Sequence, residues 1–527
     1  MRRYDAAVIG AGHNGLVAAA YLARAGLRVV VFERAEEVGG LARTQEIASG
    51  YRAPGLLHTV GGLRRSVIRD LGLASLGLRI VRPDVAAFAA DPDGGGVALY
   101  RDSHRAAEEV KARSPGDAEG YLRLDRRIRT VSSFLAYVAA ATPPDLDRPS
   151  MADALAGLTL GRAFRRLGDR PRREVLRMIP MPAADLVGDF VQNDLVRALV
   201  AARGVALTAM GPWSAGSGAW LLLRSTGGGG AAGDTAYAIG GPGALAEALA
   251  QAARGSGVEI RTDAEVAAIT SRSDRATGVA LATGEEIEAR AVVSASDPKR
   301  TIALLAPDVA GPTLLWRVRN LRAPGSVAKV DLALDGPPPF RDVDAHLLEG
   351  RLVLSSGIDA LERAADDLKY GRISEEPVLE VTIPTLLDPG LAPEGGHVVS
   401  AVAHSTPYAL RKGRWDKRTR DRVGDRVLKV LERYAPGLSE RVVGRRVLAP
   451  PDIEREFGPT NGCVLHLEPG LDQFFAWRPL LGHARYRFAI PGLYLAGSGS
   501  HPGGGITGAP GANAAREILS DLKRTAR

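Results

Sequence analysis

Residues 4–40 decide the fold, and they read YDAAVIGAGHNGLVAAAYLARAGLRVVVFERAEEVGG. Residues 4–9 are a short apolar run that ends at a glycine, which is typical of a buried parallel strand. Residues 16–24 are rich in alanine and favour a helix that stops at Gly26. Residues 27–32 are a second, valine-rich run. This order predicts a β-α-β unit, the start of an α/β fold.

Three glycines with the spacing G-x-G-x-x-G lie between the first strand and the helix. Gly10 permits the tight turn, Gly12 lets the backbone approach a pyrophosphate, and Gly15 lets helix and strand pack closely. The amides at the helix N-terminus then bind the pyrophosphate. Glu33 ends the second strand, where a carboxylate accepts hydrogen bonds from a ribose diol. The stretch therefore predicts a dinucleotide site.

Neighbouring residues extend this predicted site and identify the dinucleotide as FAD. A second glycine pair, Gly39-Gly40, is followed by Arg43-Thr44, and a glycine-rich loop near the C-terminus supplies a distant second contact region, as an elongated FAD needs. NAD-only enzymes generally lack both features. The expected contacts in the N-terminal segment, besides the glycines and Glu33, are His13, Asn14, Arg34, Leu41, Arg43 and Thr44. His13 is expected to order the turn and not to act as a catalyst.

A second glycine motif, Gly241-x-Gly243-x-x-Ala246, opens another helix, and Asp263 follows it. It could bind a nicotinamide dinucleotide, or its helix and the next strand could complete the FAD sheet. Pro242 removes an amide that a phosphate would need. The segment before the motif, DTAYAI, is short and partly polar, unlike a central strand. We therefore favour the second interpretation.

Composition narrows the class of protein. The 527 residues include 68 Lys and Arg against 60 Asp and Glu, a formal charge of +8, and 5% aromatic residues. This mild charge and the few stacking rings do not favour nucleic acid as a partner. The single cysteine, Cys463, excludes an intrachain disulfide, and no metal site is expected. Because no apolar run approaches about 18 residues, we expect a cytoplasmic protein without a membrane span.

One basic stretch bears on membrane contact. Residues 161–177 hold seven arginines and predict a helix that is broken at Pro171. The stretch is either a solvated helix face or a surface that rests on an anionic membrane and admits a lipid-like substrate.

Three segments together resemble one family, the phytoene-desaturase-like flavoproteins. They are GAGHNGLVAAAYLARAG at residues 10–26, AIGGPGALAEALA at residues 238–250, and GLYLAGSGSHPGGGITGAPGANAA at residues 492–515. Within the family, the chain is similar to the group called pyridine nucleotide-disulphide oxidoreductase domain-containing protein 2. The likeness extends over nearly the whole chain, but the single cysteine argues against disulphide chemistry.

The resemblance implies a two-domain flavoprotein of the glutathione-reductase-like or amine-oxidase-like type. A Rossmann-type FAD-binding domain would comprise residues 1–75, 235–300 and 485–527. A β-rich α+β substrate domain with a helical portion would comprise residues 76–234 and 301–484. The resemblance also assigns cofactor contacts to Val266 for the adenine, to Gly497 and Ser498 for the ribityl and pyrophosphate, and to Gly505, Ile506 and Thr507 for the flavin pyrimidine.

Three residues are candidates for catalysis. Lys329 lies in the strand-like segment GSVAKVDLAL, where monoamine-oxidase-like flavoenzymes carry a lysine near the flavin; the alternative is a solvent-facing lysine. His501, before the final helix, is a proton donor beside the flavin or a structural turn histidine. His58 lines the substrate side of the flavin or is a satisfied loop histidine.

The expected reaction removes hydride from an apolar substrate, with an isoprenoid or a lipid-like molecule as examples. FAD would be reduced and then reoxidised by oxygen, a quinone or another acceptor. Two alternatives stay open: double-bond isomerisation that uses reduced flavin without net redox change, and a flavoprotein with mainly a binding or regulatory role.

Overall fold

The structure is a computed structural model and describes residues 3–525. The first two and last two residues of the expected FAD domain, 1–2 and 526–527, lie outside that part. The strands are β1 (Arg3–Ile9), β2 (Val29–Phe32), β3 (Thr44–Ala48), β4 (Tyr51–Pro54), β5 (Ile80–Val81), β6 (Val85–Ala90), β7 (Gly96–Tyr100), β8 (Tyr237–Ala238), β9 (Glu259–Arg261), β10 (Val266–Arg272), β11 (Arg275–Leu281), β12 (Glu286–Ser294), β13 (Val327–Leu334), β14 (Arg351–Leu354), β15 (Leu379–Thr382), β16 (His397–His404), β17 (Val442–Leu448) and β18 (Leu493–Leu495).

The helices are α1 (His13–Arg24), α2 (Arg65–Asp70), α3 (Ser103–Arg113), α4 (Ala118–Ala140), α5 (Met151–Arg166), α6 (Asp169–Met178), α7 (Ala183–Gly188), α8 (Asp194–Ala201), α9 (Ser217–Leu223), α10 (Pro242–Gly255), α11 (Pro298–Ala303), α12 (Pro307–Ala310), α13 (Pro312–Arg319), α14 (Ile358–Lys369), α15 (Lys417–Tyr434), α16 (Pro450–Phe457) and α17 (Ala509–Thr525). Within residues 3–525, none of these helices is long and apolar enough to cross a bilayer.

The first sheet is built around the predicted β-α-β unit. Its strand order is β10-β11-β12-β1-β2-β9, and β18 also pairs with β12. Strands β12, β1, β2, β9 and β18 run parallel, whereas β10 and β11 are antiparallel additions. Ile9 pairs with Ser294, which in turn pairs with Leu495. The chain therefore leaves β1, β12 and β18 at the same edge, and the segments that follow these strands meet there.

Helices α1, α10 and α17 cover one face of this sheet. Their buried positions are mainly alanine and leucine. The helices α1 and α17 approach so closely that a Cβ atom on Gly511 would lie 2.1 Å from the carbonyl oxygen of Asn14. The small residues thus hold the C-terminal helix directly against the glycine-rich turn.

The second sheet has the strand order β17-β13-β16-β15-β14-β6-β7. Its pairs are antiparallel except for β14 and β6, which run parallel. The strands β6 and β7 lie in the first part of the expected substrate domain, residues 76–234, although the sequence pattern after about residue 65 indicates helices and loops. The segment VAAFAA of β6 is fully buried, but its alanines favour helices more than strands, so local propensity gave no signal for this strand.

Helices α3, α4 and α7–α9 pack with the second sheet around one large hydrophobic cluster. The basic stretch forms the end of α5 and the helix α6. The chain breaks at Gly168, which has φ +80°, and not at Pro171 as expected. Pro171 lies in the first turn of α6, where a missing amide N–H costs no intrahelical hydrogen bond.

A hairpin from the N-terminal segment packs against the second sheet. Its strands β3 and β4 pair with each other and contact β13, β16 and β17. A Cβ atom on Gly444 of β17 would lie 2.7 Å from the Cβ of Ala48. Residues 44–54 thus belong by sequence to the cofactor segment but by packing to the other sheet.

Candidate active site

The first cavity lies where the chain leaves β1, β12 and β18, and it has a volume of about 270 Å³. Eleven of the predicted cofactor contacts line it: Gly10, Gly12, His13, Asn14, Gly15, Glu33, Arg34, Gly40, Leu41, Val266 and Ser498. These residues come from segments more than 480 positions apart, and the strand order of the first sheet brings them together.

Each of the three positions in the turn favours glycine for a different local reason. Gly10 has φ +94°, a conformation that favours glycine. A Cβ atom on Gly15 would lie 2.1 Å from the carbonyl oxygen of Gly10, so helix and turn are in contact there. A Cβ atom on Gly12 would meet no atom of the other described residues within 4 Å and would enter the cavity. Gly12 therefore keeps space open for a ligand.

Polar atoms without partners line the same cavity. Three buried atoms make no hydrogen bond within the part of the chain that the structure describes: Nε2 of His13, Oδ1 of Asn14 and Nδ1 of His466. Buried polar groups are nearly always paired, so these atoms fit a polar ligand. The amide of Asn14 also donates to Oγ of Ser498 at 3.3 Å, which joins the turn to the C-terminal loop.

Glu33 is held in place by the backbone and keeps capacity to accept hydrogen bonds. Its two carboxylate oxygens accept from the amide of Ala11 at 2.8 Å and from the amide of Ala35 at 3.1 Å. Each oxygen retains a further lone pair that a ribose hydroxyl can use. The glycine turn, the unpaired polar atoms and this carboxylate together fit the dinucleotide part of FAD.

Three predicted cofactor contacts, Arg43, Thr44 and Gly497, line neither the first cavity nor the second, which is described below. The guanidinium of Arg43 stacks on the ring of Phe457, with 4.9 Å between Cζ and the ring centroid. Gly497 is packed between strand ends, because its Cβ would lie 2.4 Å from the carbonyl oxygen of Ala295.

Thr44 explains the second glycine motif. Its hydroxyl accepts from the amide of Gly243 at 2.9 Å and donates to the carbonyl of Gly240 at 3.0 Å. A Cβ atom on Gly241 would lie 2.3 Å from Oγ1 of Thr44. The glycines thus make room for a threonine of the same chain at the start of α10. The preceding strand, β8, pairs with β5 outside the first sheet, whereas β9 after α10 completes that sheet.

The second cavity adjoins the first, shares Leu57 with it and has a volume of about 560 Å³. The predicted flavin contacts Gly505, Ile506 and Thr507 line it, but they form a loop that precedes α17 and not the helix itself. The rest of the lining includes many aliphatic side chains, among them Leu63 and Val402. Such a volume and lining are typical of a small-molecule site.

His58 is the candidate catalytic residue that faces the second cavity. Its Nδ1 is buried and has no hydrogen-bond partner in the described residues, and its Nε2 lies 3.4 Å from Oγ of Ser400. Burial and the charge of Lys329 lower the pKa of His58 to about 3. The ring is therefore neutral at pH 7 and is a weak base.

Lys329 lies elsewhere than the sequence indicated. It is neither at a cavity wall nor in solvent, because its side chain is fully buried in β13. Its ammonium donates to the carbonyls of Pro54 and Gly55 at 2.7 and 2.6 Å and to Oδ1 of Asp331 at 2.7 Å. All three protons of the ammonium are used, so Lys329 is a positioning residue for the segment that leads to His58.

His501 also differs from the catalytic expectation. Its Nε2 lies 3.0 Å from the carbonyl oxygen of Val138, and its ring meets that of Phe475 edge to face. Burial lowers the pKa of His501 to about 3, despite the hydrogen bond to Val138. The side chain lines neither cavity. These contacts fit the alternative interpretation, that of a structural turn histidine.

Sequence reasoning missed His466, Arg224 and Glu380. His466 lines the first cavity, and the other two line the second. His466 follows Cys463 in an irregular loop that carries no recognisable motif. Glu380 stands among aliphatic residues in the strand β15, and a lone carboxylate in such a strand is a signal that could have indicated a site.

Comparisons with known proteins agree with this geometry. The family model described as "Flavin containing amine oxidoreductase" matches residues 15–519. Pyridine nucleotide-disulfide oxidoreductase domain-containing protein 2 of Rattus norvegicus is 34% identical and aligns with 99% of this chain and 94% of its own length. Phytoene desaturase (neurosporene-forming) of Rhodobacter capsulatus is 26% identical over 95% of this chain and 91% of its own.

Among solved structures, putrescine oxidase bound to putrescine has a similar fold. Its TM-score is 0.60 at 16% identity, with 100% of both chains covered. This confirms the expected amine-oxidase-like fold, and the two relatives confirm the resemblance to phytoene-desaturase-like flavoproteins. From the extent of the family match, the chain belongs to the flavin containing amine oxidoreductase family and is an FAD-dependent oxidoreductase.

Proposed function

We propose that the protein is a dehydrogenase or oxidase that removes hydride, together with a proton, from an apolar small molecule held in the second cavity. The observation that carries the proposal is the position of that cavity: it adjoins the dinucleotide cavity at Leu57 and is lined by the loop Gly505–Thr507 on one side and by aliphatic side chains on another. Desaturation of an isoprenoid, the reaction named in one relative, is an example of this reaction class.

In this proposal, the residues of the chain bind and orient the cofactor and the substrate. The glycine turn, Asn14 and Glu33 hold the dinucleotide, and aliphatic side chains exclude water from the substrate. Bound FAD supplies the hydride acceptor. His58 is the one expected catalytic residue that faces the substrate, and its unpaired Nδ1 can orient a polar group there. Oxygen, a quinone or another acceptor would then reoxidise the flavin.

Anaerobic reduction of the bound flavin tests this proposal. Candidate apolar substrates are added to the FAD-loaded protein without oxygen, and the loss of flavin absorbance near 450 nm is followed. We expect at least one isoprenoid or lipid-like compound to bleach the flavin and to yield a product with one more double bond. If no small molecule changes the flavin while the protein forms a stable complex with another macromolecule, the binding or regulatory alternative replaces it.

One observation favours a second candidate, isomerisation by reduced flavin. Dehydrogenation must remove a proton as well as hydride, and a histidine with a pKa of about 3 is a poor proton acceptor at pH 7. Isomerisation leaves the number of hydrogens unchanged and so needs no net proton removal. Conversion of a cis polyene to its trans isomer only after prereduction of the flavin would support this candidate.

We also propose that the protein is cytoplasmic and that α5 rests on the surface of an anionic membrane. Met151, Leu155 and Leu158 lie on one exposed face of this helix, and the exposed Arg162, Arg165 and Arg166 follow at its end. An exposed apolar stripe beside arginines is typical of a helix that lies in a membrane interface. Sedimentation with phosphatidylserine vesicles tests this: we expect binding that a Leu155→Ser, Leu158→Ser variant loses.

A further inference from the structure

We infer that the substrate carries an anionic head, a carboxylate, which the guanidinium of Arg224 binds inside the second cavity. The inference rests on the proposed function, because it takes the second cavity as the substrate site. It adds a polar end to a substrate that the aliphatic lining alone describes only as apolar. Charge, an unpaired donor and the shape of the cavity wall each support it.

Arg224 lies in the wall of the cavity with an unused donor. It follows α9, and its Nη1 is buried and has no hydrogen-bond partner among residues 3–525. Its guanidinium also faces the ring of Trp220, with 5.9 Å from Cζ to the ring centroid, and Trp220 lines the same cavity. Arginine offers several N–H donors in a planar fork that matches a carboxylate. A buried donor of this kind without a partner indicates an absent acceptor.

Positive charge is in excess around this donor. The guanidiniums of Arg203 and Arg351 repel that of Arg224. The carboxylate of Glu380 attracts all three. Burial would raise the pKa of Glu380, but Arg351 and Arg224 hold it at about 2, so its single negative charge is already present at pH 7.

The next carboxylate does not restore the balance. Asp234 also acts on Arg203, but it is paired with Arg101 and Arg82 at 3.3 and 3.6 Å. Nearby histidines add no charge, because burial lowers the pKa of His58 to about 3 and that of His404 to about 4. Since a buried charge is costly without a counterion, an anion from the substrate would stabilise this cluster.

The same charges disfavour an amine as substrate, although amine oxidation gives the family its name. Two carboxylates line the cavity and could bind an ammonium group: Asp234, which is already paired with Arg82 and Arg101, and Glu380. Nη1 of Arg351 already donates to that carboxylate at 3.2 Å. The ammonium would therefore lie close to Arg351 and Arg224 and be repelled by both.

The other walls fit an apolar tail behind such a head. Leu63, Ala136 and Ile506 line the cavity, and its exposed lining includes Gly227 and Gly228. These two glycines begin a tract that is separated from Arg224 by two residues, so the head site and part of the cavity's exposed lining are close in the chain. A molecule with a carboxylate at one end and an apolar chain at the other matches both features.

Titration of the FAD-loaded protein with three matched probes tests the inference. Octanoate, octanol and octylamine share one chain and differ in the head group, and each is added while the flavin absorbance spectrum is recorded. We expect octanoate to bind about tenfold or more tightly than octanol, as a charge-assisted hydrogen bond implies, and octylamine to bind most weakly. Arg224→Met abolishes the preference for octanoate, whereas Arg224→Lys keeps part of it.

Arg418→Met, on the exposed face of α15, is the matched control and should keep the full preference. The ratio of absorbance at 450 and 280 nm shows whether each variant still holds FAD. Equal binding of octanoate and octanol, or an Arg224→Met variant that still prefers octanoate, overturns the inference and leaves the apolar cavity of the proposed function intact. If none of the probes changes the spectrum of the loaded protein, the substrate site assumed by both proposals is wrong.

Discussion

Replacing Gly12 and Gly15 by alanine, one at a time, should separate the effect on FAD affinity from the effect on folding stability. At Gly12, φ is −67°, which alanine adopts freely, and the new Cβ meets no protein atom within 4 Å. We expect the stability of the FAD-free protein to change by less than about 1 kcal/mol, because a weaker N-cap is offset by a less flexible unfolded chain. The methyl group enters the cavity, however, in front of the amides that hold the pyrophosphate.

The cost to FAD binding follows from those amides. Loss of one hydrogen bond to a charged group costs about 1.5–3 kcal/mol, so the dissociation constant of FAD should rise about tenfold to a hundredfold. Gly15→Ala differs, because its Cβ would lie 2.1 Å from the carbonyl oxygen of Gly10 and 3.0 Å from the Cβ of Ala295. Overpacking against the backbone costs about 1–3 kcal/mol, so this variant should melt several degrees lower.

The assay compares both variants with the parent protein after removal of FAD. Thermal melting of the apoproteins ranks their stability, and quenching of FAD fluorescence gives the dissociation constants. A Gly12→Ala variant that binds FAD as tightly as the parent would refute the assignment of the first cavity to the dinucleotide. If Gly12→Ala melts as early as Gly15→Ala, the distinction between open space and close packing is wrong.

Three further predictions concern residues away from the glycine turn. Lys329→Met removes the counterion of the buried carboxylate of Asp331 and leaves it the hydroxyl of Ser400, so we expect a loss of about 3–5 kcal/mol, measured as a lower Tm, which Asp331→Asn partly restores. Thr44→Val leaves the amide of Gly243 unpaired and should cost about 1–3 kcal/mol in a melting experiment, with FAD affinity unchanged. His501 has a pKa of about 3 in the folded protein, against about 6.5 when unfolded, so the unfolded chain takes up a proton first and stability falls as pH drops below about 6.5. His501→Gln should therefore lose less Tm between pH 7 and pH 5 than the parent.

Each of these has an outcome that contradicts it. A Lys329→Met protein with normal Tm but slow flavin reduction would give that lysine a catalytic role. Weaker FAD binding by Thr44→Val, with Thr44→Ser as the control, would return Thr44 to the cofactor contacts. Parallel Tm curves against pH for the parent and His501→Gln would mean that this histidine is not held neutral by burial.

The sequence predicted what local spacing determines. Gly10, Gly12, Gly15 and Glu33 lie within one β-α-β unit, so their spacing alone indicates that they share one edge of a sheet. The first sheet and its cofactor turn follow from that pattern. The resemblance of the C-terminal loop added Ser498 to the expected cofactor contacts, which spacing could not do, and the structure shows that the side-chain amide of Asn14 donates to its Oγ at 3.3 Å.

The side-chain contacts that the sequence did not indicate join distant segments. The ammonium of Lys329 binds carbonyls 274 and 275 positions away, and alternation along a strand gives its face but not its partner. Thr44 and Gly243 are 199 positions apart, so the sequence does not show that the glycine turn binds the side chain of Thr44. The turn therefore looks like a nucleotide motif. The strand β6 was not predicted for another reason. Its alanines lie in a tightly packed interior, where burial outweighs local propensity.

The hairpin of β3 and β4 has a consequence for engineering. Because it packs on β13, β16 and β17, and because Lys329 binds the carbonyls of its last residue, Pro54, and of Gly55, the segment of residues 45–55 is fitted to the second sheet, whereas Thr44 is fitted to α10 on the first. A chimera that takes its substrate half from a relative would therefore need to take residues 45–55 from the same donor. A junction placed directly after Thr44 should give a folded hybrid, whereas a junction near residue 75 would combine a lysine and a loop that were never matched.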